Sequence, residues 1–191
     1  MDSYRLAEDQ DLVRSVANSR QEALSVLYDR FHRQCFSFAI RILGSESDAE
    51  EAVQETFVRI WRSAGQYDES RAGVASWVLS ITRNLCIDEL RRRRRRAPET
   101  PLMDDMPHPP AADRTDLEAE RTILGEQVRA ALQSLSSEQR SAIELVYFHG
   151  LTSQEVGNVL NVPAPTVRSR LRLGILKLGG ILQEKGVIAV D

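Results

Sequence analysis

The sequence predicts an all-α protein: two helical domains joined by a flexible, acidic, proline-rich linker. Three observations carry this. Apolar residues recur every three or four positions through most of the 191 residues, the spacing of a helix face and not of a strand. Aromatics make up only 6% of a chain that is 42% hydrophobic, and no stretch alternates with a period of two. The segment 97–116, APETPLMDDMPHPPAADRTD, has no period at all. Its proline and acid content is that of a mobile connector.

The first domain is expected over 10–96. A short helix falls around Asp9–Ala17 and a long one over Arg20–Leu43. Leu24, Leu27, Tyr28, Phe31, Cys35, Phe38 and Ile42 line one face of the long helix, and Gly44 stops it. A third helix opens at Ser47, where Ser47 and Glu50 have the spacing of a capping box, and continues to about Arg62. Ala52, Val53, Thr56, Phe57, Ile60 and Trp61 form its apolar stripe; Asp48, Glu51, Gln54, Glu55 and Arg59 lie mostly off it. AGQYDESRAG reads as a loop. A fourth helix runs from Val74 into Arg91–Arg96, with Trp77, Val78, Ile81, Leu85, Ile87 and Leu90 as its apolar positions.

The second domain is expected over 117–182. One helix spans about Leu117–Leu132. Ser136 and Gln139 cap the next, which ends near Gly150, and Thr152 and Glu155 cap a third that reaches Leu160. After a short turn at Asn161–Val162, APTVRSRL starts the last helix. Pro163 and Pro165 suit only a first helical turn, where their missing N–H groups have no partner anyway. A short capped helix, a tight turn and a second helix with a polar outer face make a helix-turn-helix.

Charge is distributed unevenly. The chain carries a formal −3 overall, which argues against bulk nucleic-acid affinity. Residues 1–90 are net −5, 91–100 net +5, 101–130 net −4 and 131–191 net +1. A basic block between acidic stretches suggests one surface for DNA and others for protein. The arginine run could neutralise phosphates, or it could be a solvated helix end or a localisation signal. On the last helix, Thr166, Arg168, Ser169, Arg170 and Arg172 can reach phosphates or base edges; a helical hairpin with a solvated basic face would share this spacing. The acidic face of the third helix would repel DNA, so a function for it would be with protein.

Enzyme chemistry finds little support. His32, His108 and His149 are scattered, and there is no phosphate loop, nucleophile elbow or metal spacing. No cofactor is called for. Cys35 and Cys86 read as buried thiols of a reducing compartment. A redox or metal role using His32 and Cys35 is the alternative. The polar start MDSYRLAEDQ is no signal peptide, and no apolar run approaches the ~20 residues of a membrane span, so a cytoplasmic location is expected.

SDAEEAVQETFVRIWRSAGQYD followed by WVLSITRNLCIDELRR resembles region 2 of the extracytoplasmic-function (group 4) sigma factors. LSSEQRSAIELVYFHGLTSQEVGNVLNVPAPTVRSRL is similar to their region 4. The resemblance covers roughly 10–96 and 117–182, in the family's order, with an acidic linker between. It implies that Asp48, Glu51, Gln54 and Glu55, with Trp61 near the end, meet the β′ clamp helices of core RNA polymerase. It implies that the loop Gln66–Gly73 captures the −10 element, assisted by Ser76, Ser80, Arg83 and Asn84, with Arg91 and Arg92 on phosphates. Thr166, Arg168, Ser169, Arg170 and Arg172 would read the −35 element. Asp104 and Asp105 in the linker would mimic nucleic acid near the active-site path. Fully stretched, the linker reaches about 70 Å, more than the ~58 Å between promoter elements about 17 base pairs apart. The family also implies contact with the β subunit, and an anti-sigma partner that is often membrane-anchored.

The sequence departs from the family in places. Val156-Gly157 stands where Ile-Ala is usual, and Pro165 where glycine is common. Gly157 is expected to weaken its helix by ~1 kcal/mol relative to alanine, and Gly174, Gly179 and Gly180 to loosen the last one. Two other readings remain at this point. A conventional helix-turn-helix regulator would bind promoter duplex without polymerase, and a helical adaptor would not need its arginines for promoter output.

Overall fold

The computed structural model describes residues 2–96 and 127–187. The linker 97–116 with Asp104 and Asp105, and residues 117–126 of the expected next helix, lie outside the described residues. The chain divides into two compact units, Met1–Pro110 and Ala111–Asp191, and every described element is helical.

The first unit holds α1 (Asp2–Arg5), α2 (Asp9–Ala17), α3 (Gln21–Leu43), α4 (Glu46–Ser63), a 3-10 turn (Ala64–Gln66) and α5 (Val74–Arg96). α2 has its two aspartates in the first turn, where the helix dipole favours negative charge. Gly44 ends α3 in the left-handed region at φ 69°, with its N–H on the Ile40 carbonyl. The start of α4 differs from expectation. Ser45 is the N-cap, extended at φ −134°, and its hydroxyl accepts from the Asp48 N–H at 3.4 Å. Ser47 already lies inside the first helical turn and so cannot cap it. α1 and the 3-10 turn have no periodic signal in the sequence.

Leu12, Val13 and Val16 of α2, Leu27, Phe31 and Cys35 of α3, Val53, Phe57 and Ile60 of α4, and Val74 and Val78 of α5 make one core. The face that α5 turns inward is a correction. Val78, Thr82, Cys86 and Ile87 are buried, while Trp77, Ile81, Leu85 and Leu90 are only half-buried. On α3, Tyr28 lies 41% exposed and is no core residue.

In the second unit, a helix over 127–133 (α6) precedes α7 (Ser137–Tyr147), α8 (Ser153–Leu160) and α9 (Ala164–Glu184). Both expected capping boxes form, Ser136 with Gln139 and Thr152 with Glu155. Arg140 closes the end of α6. Its guanidinium donates to the carbonyls of Leu132 (3.1 Å), Gln133 (2.7 Å) and Leu135 (3.4 Å). Ala142, Leu151, Val156 and Val167 form a small core under the α8–α9 pair.

The glycines divide by position. A Cβ on Gly157 would stand 2.6 Å from the Val162 carbonyl oxygen, so glycine is what lets the chain fold back closely after α8. A Cβ on Gly174 would meet Ile143 Cδ1 at 2.9 Å, so this buried glycine brings α9 close to α7. Neither position is the simple weakness that helix propensity suggests. Gly179 and Gly180 face open space.

Candidate nucleic-acid interface

The α8–turn–α9 segment is built by local chemistry. Thr152 N–H donates to Glu155 Oε2 at 2.6 Å, and Glu155 N–H donates to Thr152 Oγ1 at 3.3 Å. Asn161 takes the left-handed conformation at φ 52°. The Val162 N–H returns to the Gly157 carbonyl at 2.9 Å, and the Pro163 carbonyl accepts from the Thr166 and Val167 N–H groups. With Val167 fully buried as the anchor, 3.6 residues per turn puts Arg168, Ser169 and Arg172 on the opposite side. All three are exposed. Arg170 is half-buried and only about 60° from Val167, while Thr166 is half-buried and stands about 100° from Val167 on the flank away from Arg168. Arg170 stands near Glu138 of α7. Hydrogen bonds from the Glu138 N–H and from Ser136 hold that carboxyl below its usual value, and the Arg170 charge adds to the effect. Of five residues expected to share one surface, the structure therefore brings three together.

Along α5, Ser76, Ser80, Arg83, Asn84 and Arg91 fall within a sector of about 100°. Ser76, Ser80, Asn84 and Arg91 are exposed and Arg83 half-buried. Arg92 lies off this sector and pairs with Glu89 at 2.5 Å. The loop before α5 is internally braced. Tyr67 Oη donates to the Ala72 carbonyl at 3.0 Å, and its ring packs on Trp77 with centroids 5.1 Å apart. Burial and then the Glu69 charge push the Tyr67 phenol up. Asp68 Oδ1 accepts from the Ser70 hydroxyl (2.6 Å) and N–H (3.0 Å), which hold its carboxyl below the ordinary value. Arg14 of α2 reaches Glu69 at 2.8 Å. Arg14, Tyr67, Asp68 and Glu69 border a cleft of about 380 Å³ together with Val13, Ala17 and Ala64, which no sequence pattern marks.

The outer face of α4 is divided too. Glu51 and Gln54 are exposed; Glu55 is half-buried and accepts from Arg59 Nε at 3.4 Å. Asp48 is engaged inside the unit, 2.5 Å from Arg93 of α5. Gln54 and Trp61 line one groove of about 840 Å³ between α3 and α4, with Leu24, Tyr28, Phe57 and Val58. Tyr28 and Val58 are its exposed apolar side chains. Leu24 and Tyr28 read as core in the sequence because they share the α3 stripe; Val58 falls outside the α4 apolar stripe and has no signal of its own. On α9, Leu173, Ile175 and Leu176 are also exposed.

Among the described residues, no three His, Cys, Asp or Glu side chains are placed to hold a metal ion. His32 instead stacks on Tyr28 with centroids 4.9 Å apart, and its Nδ1 lies 2.8 Å from the Tyr28 carbonyl oxygen. No described helix is long and apolar enough to cross a membrane.

The Sigma-70 region 2 family matches residues 27–96 and the Sigma-70 region 4 family matches 125–178. The ECF RNA polymerase sigma factor RpoE of Cereibacter sphaeroides is 33% identical over 168 residues, covering 87% of this chain and 91% of that protein. The chain belongs to the extracytoplasmic-function sigma factors of the sigma-70 family.

The sigma factor SigK of Mycolicibacterium vanbaalenii is 31% identical over 176 residues, covering 90% of this sigma factor and 88% of its relative. Among solved structures, Rhodobacter sphaeroides SigE in complex with the anti-sigma ChrR is 28% identical with a TM-score of 0.46, covering 92% of this chain and 98% of that one. As a sigma factor, the protein is a specificity subunit for transcription initiation by RNA polymerase. The α5 face and loop 66–73 lie inside the region 2 match, and the helix-turn-helix lies inside the region 4 match.

Proposed function

We propose that this sigma factor grips core RNA polymerase through the α4 face and holds promoter DNA at two places. Glu51, Gln54 and Glu55, with Trp61 and the apolar groove beside it, form the surface for the β′ clamp helices. Loop 66–73 and the α5 face of Ser76, Ser80, Arg83, Asn84 and Arg91 take the opened −10 element. Arg168, Ser169 and Arg172 read the −35 duplex, flanked by Thr166 and Arg170. The exposed Leu173, Ile175 and Leu176 of α9 suit a contact with the β subunit. The protein works in the cytoplasm, has no catalysis of its own, and is held inactive by an anti-sigma factor until a signal arrives.

The carrying observation is the paired family match at 27–96 and 125–178. Region 2 and region 4 in one chain fit a polymerase subunit, whereas a conventional regulator needs only the helix-turn-helix. Run-off transcription with core RNA polymerase on a promoter library tests the reading. Specific starts that depend on the added chain are expected. Tight, specific promoter binding by the lone chain in a gel shift, with no starts beside core enzyme, would overturn it in favour of the regulator.

A further inference from the structure

Arg93 is placed unlike a phosphate ligand. Its Nε donates to Glu89 Oε1 at 3.2 Å and its Nη1 to the Leu43 carbonyl at 3.1 Å, and its Nη2 stands 2.5 Å from Asp48 Oδ2. Nε and Nη1 donate hydrogen bonds, while Nη2 meets Asp48 as a close ion pair outside hydrogen-bond geometry; the three contacts go to three elements of the same corner. The Leu43 carbonyl ends α3, where the helix leaves its last acceptors unpaired. Asp48 lies in the first turn of α4, and Glu89 on α5 itself.

The rest of α5 shows why such an anchor is needed. Its buried side chains stop at Ile87. The last six residues are all arginine, and like charges three and four apart on a helix repel. Beyond the half-buried Leu90 these turns carry no apolar side chain.

We infer that Arg93 is a positioning residue: it pins the arginine-bearing end of α5 to the α3–α4 corner, so that Arg91 is presented to the promoter backbone. Asp48 then serves the DNA side by holding Arg93 and is withdrawn from the polymerase surface. This rests on the reading of α5 as the −10 interface.

Lysine separates the two roles. A charge contact to phosphate is largely kept by the lysine ammonium, so as a phosphate ligand Arg93→Lys would retain most of its function. A three-way clamp needs the planar guanidinium fork, whose donors are spread apart; the compact lysine ammonium cannot reach all three partners from one point. Full-length chains are compared for three properties: core affinity, promoter melting by saturated holoenzyme followed with a fluorescent base analogue, and the salt dependence of promoter binding. Arg93→Lys and Asp48→Asn are expected to slow melting about tenfold, with core affinity and the slope against log salt unchanged. Arg91→Gln is the benchmark for a true phosphate contact and should lower that slope by about 0.9. Hydrogen exchange of the 91–96 amides, measured without polymerase, should quicken in both variants.

Full melting by Arg93→Lys would overturn the inference, as would weakened core binding by Asp48→Asn with melting intact, or unchanged 91–96 exchange. A wild-type chain that starts no transcription with core enzyme would sink the sigma reading of the face instead, while the exchange measurement still decides the clamp.

Discussion

Thr56 Oγ1 of α4 lies 3.2 Å from Thr82 Oγ1 of α5, and both side chains are fully buried. The single Thr56 hydroxyl proton is divided between that oxygen and the Ala52 carbonyl at 2.7 Å, while Thr82 donates to the Val78 carbonyl at 3.1 Å. The two helices cross on a pair of hydroxyls that each satisfy themselves on their own helix. Removing both while keeping the shape should therefore cost little, because same-shape apolar replacement of both partners is close to neutral. The double variant Thr56→Val, Thr82→Val is expected within about 1 kcal/mol of wild type. Thr82→Ala leaves a gap and is expected to lose about 1–2 kcal/mol. Urea unfolding of the full chain measures both.

The thiols lie against the same crossing. Burial pushes the Cys35 thiol up, against a partly offsetting polar contact with the Thr82 hydroxyl. Burial and then the neighbouring Cys35 push Cys86 up from 9.0 to about 12. Since the thiolate is the reactive form, neither should act as a redox sensor. A thiol reagent at neutral pH is expected to leave both unmodified in the native chain and to titrate both in urea. Stability should follow the same logic. Below about pH 9 both states keep their thiols protonated and nothing changes; from 9 toward 12 the unfolded chain ionises first, so stability falls as pH rises. Rapid native modification would contradict the buried placement.

These features show how far the sequence was legible. Asp9–Ala17, the Gly44 stop and the boxes at Ser136/Gln139 and Thr152/Glu155 are set by neighbours within a few residues, and they stand as the spacing predicts. The inward face of α5 was misread because its buried positions include Thr82, whose partner Thr56 is 26 residues away. The cap at Ser45 was missed because Ser47 and Glu50 offer the same spacing two residues later. Arg93 was hidden in a run of identical residues, and only the fold shows that Leu43 and Asp48 meet it.

Gly157 and Gly179 should respond oppositely to alanine. At Gly157 the new Cβ would stand 2.6 Å from a backbone oxygen that cannot move without opening the turn. The expected cost is about 1–3 kcal/mol, with loss of −35 recognition. At Gly179 nothing lies within 4 Å, so the gain in helix propensity is unopposed. Gly179→Ala is expected to stabilise the second unit by about 0.5–1 kcal/mol. Thermal melts of the two variants should shift in opposite directions.

On α4, Gln54, Val58 and Trp61 line the groove opposite Tyr28 of α3, while Glu55 is tied to Arg59. Partner-facing aromatics beside an apolar groove tend to dominate binding energy, and exposed carboxylates contribute less. Trp61→Ala is expected to weaken core polymerase binding by about 2 kcal/mol, or roughly thirtyfold. Glu55→Ala should cost less than about 1 kcal/mol. Equilibrium titration against labelled core enzyme measures the ranking, and circular dichroism checks that the helices remain.

The three arginines of α9 should separate by placement. Arg168 and Arg172 stand exposed with Ser169 on the side opposite Val167, whereas Arg170 is half-buried on the flank near Glu138. A guanidinium on a base edge contributes about 1–3 kcal/mol of discrimination. Arg168→Ala and Arg172→Ala are each expected to lower transcription from a −35-dependent promoter by about tenfold or more. Initiation from a promoter that relies on the −10 element should be spared. Arg170→Ala removes a half-buried side chain and the charge beside the Glu138 carboxyl, so its loss in transcription should be smaller and should carry a lowered melting temperature. If Arg170→Ala instead abolishes −35 dependence at unchanged stability, while Arg172→Ala is silent, α9 enters the groove on its other flank and the outward sector defined by Val167 is not the reading face.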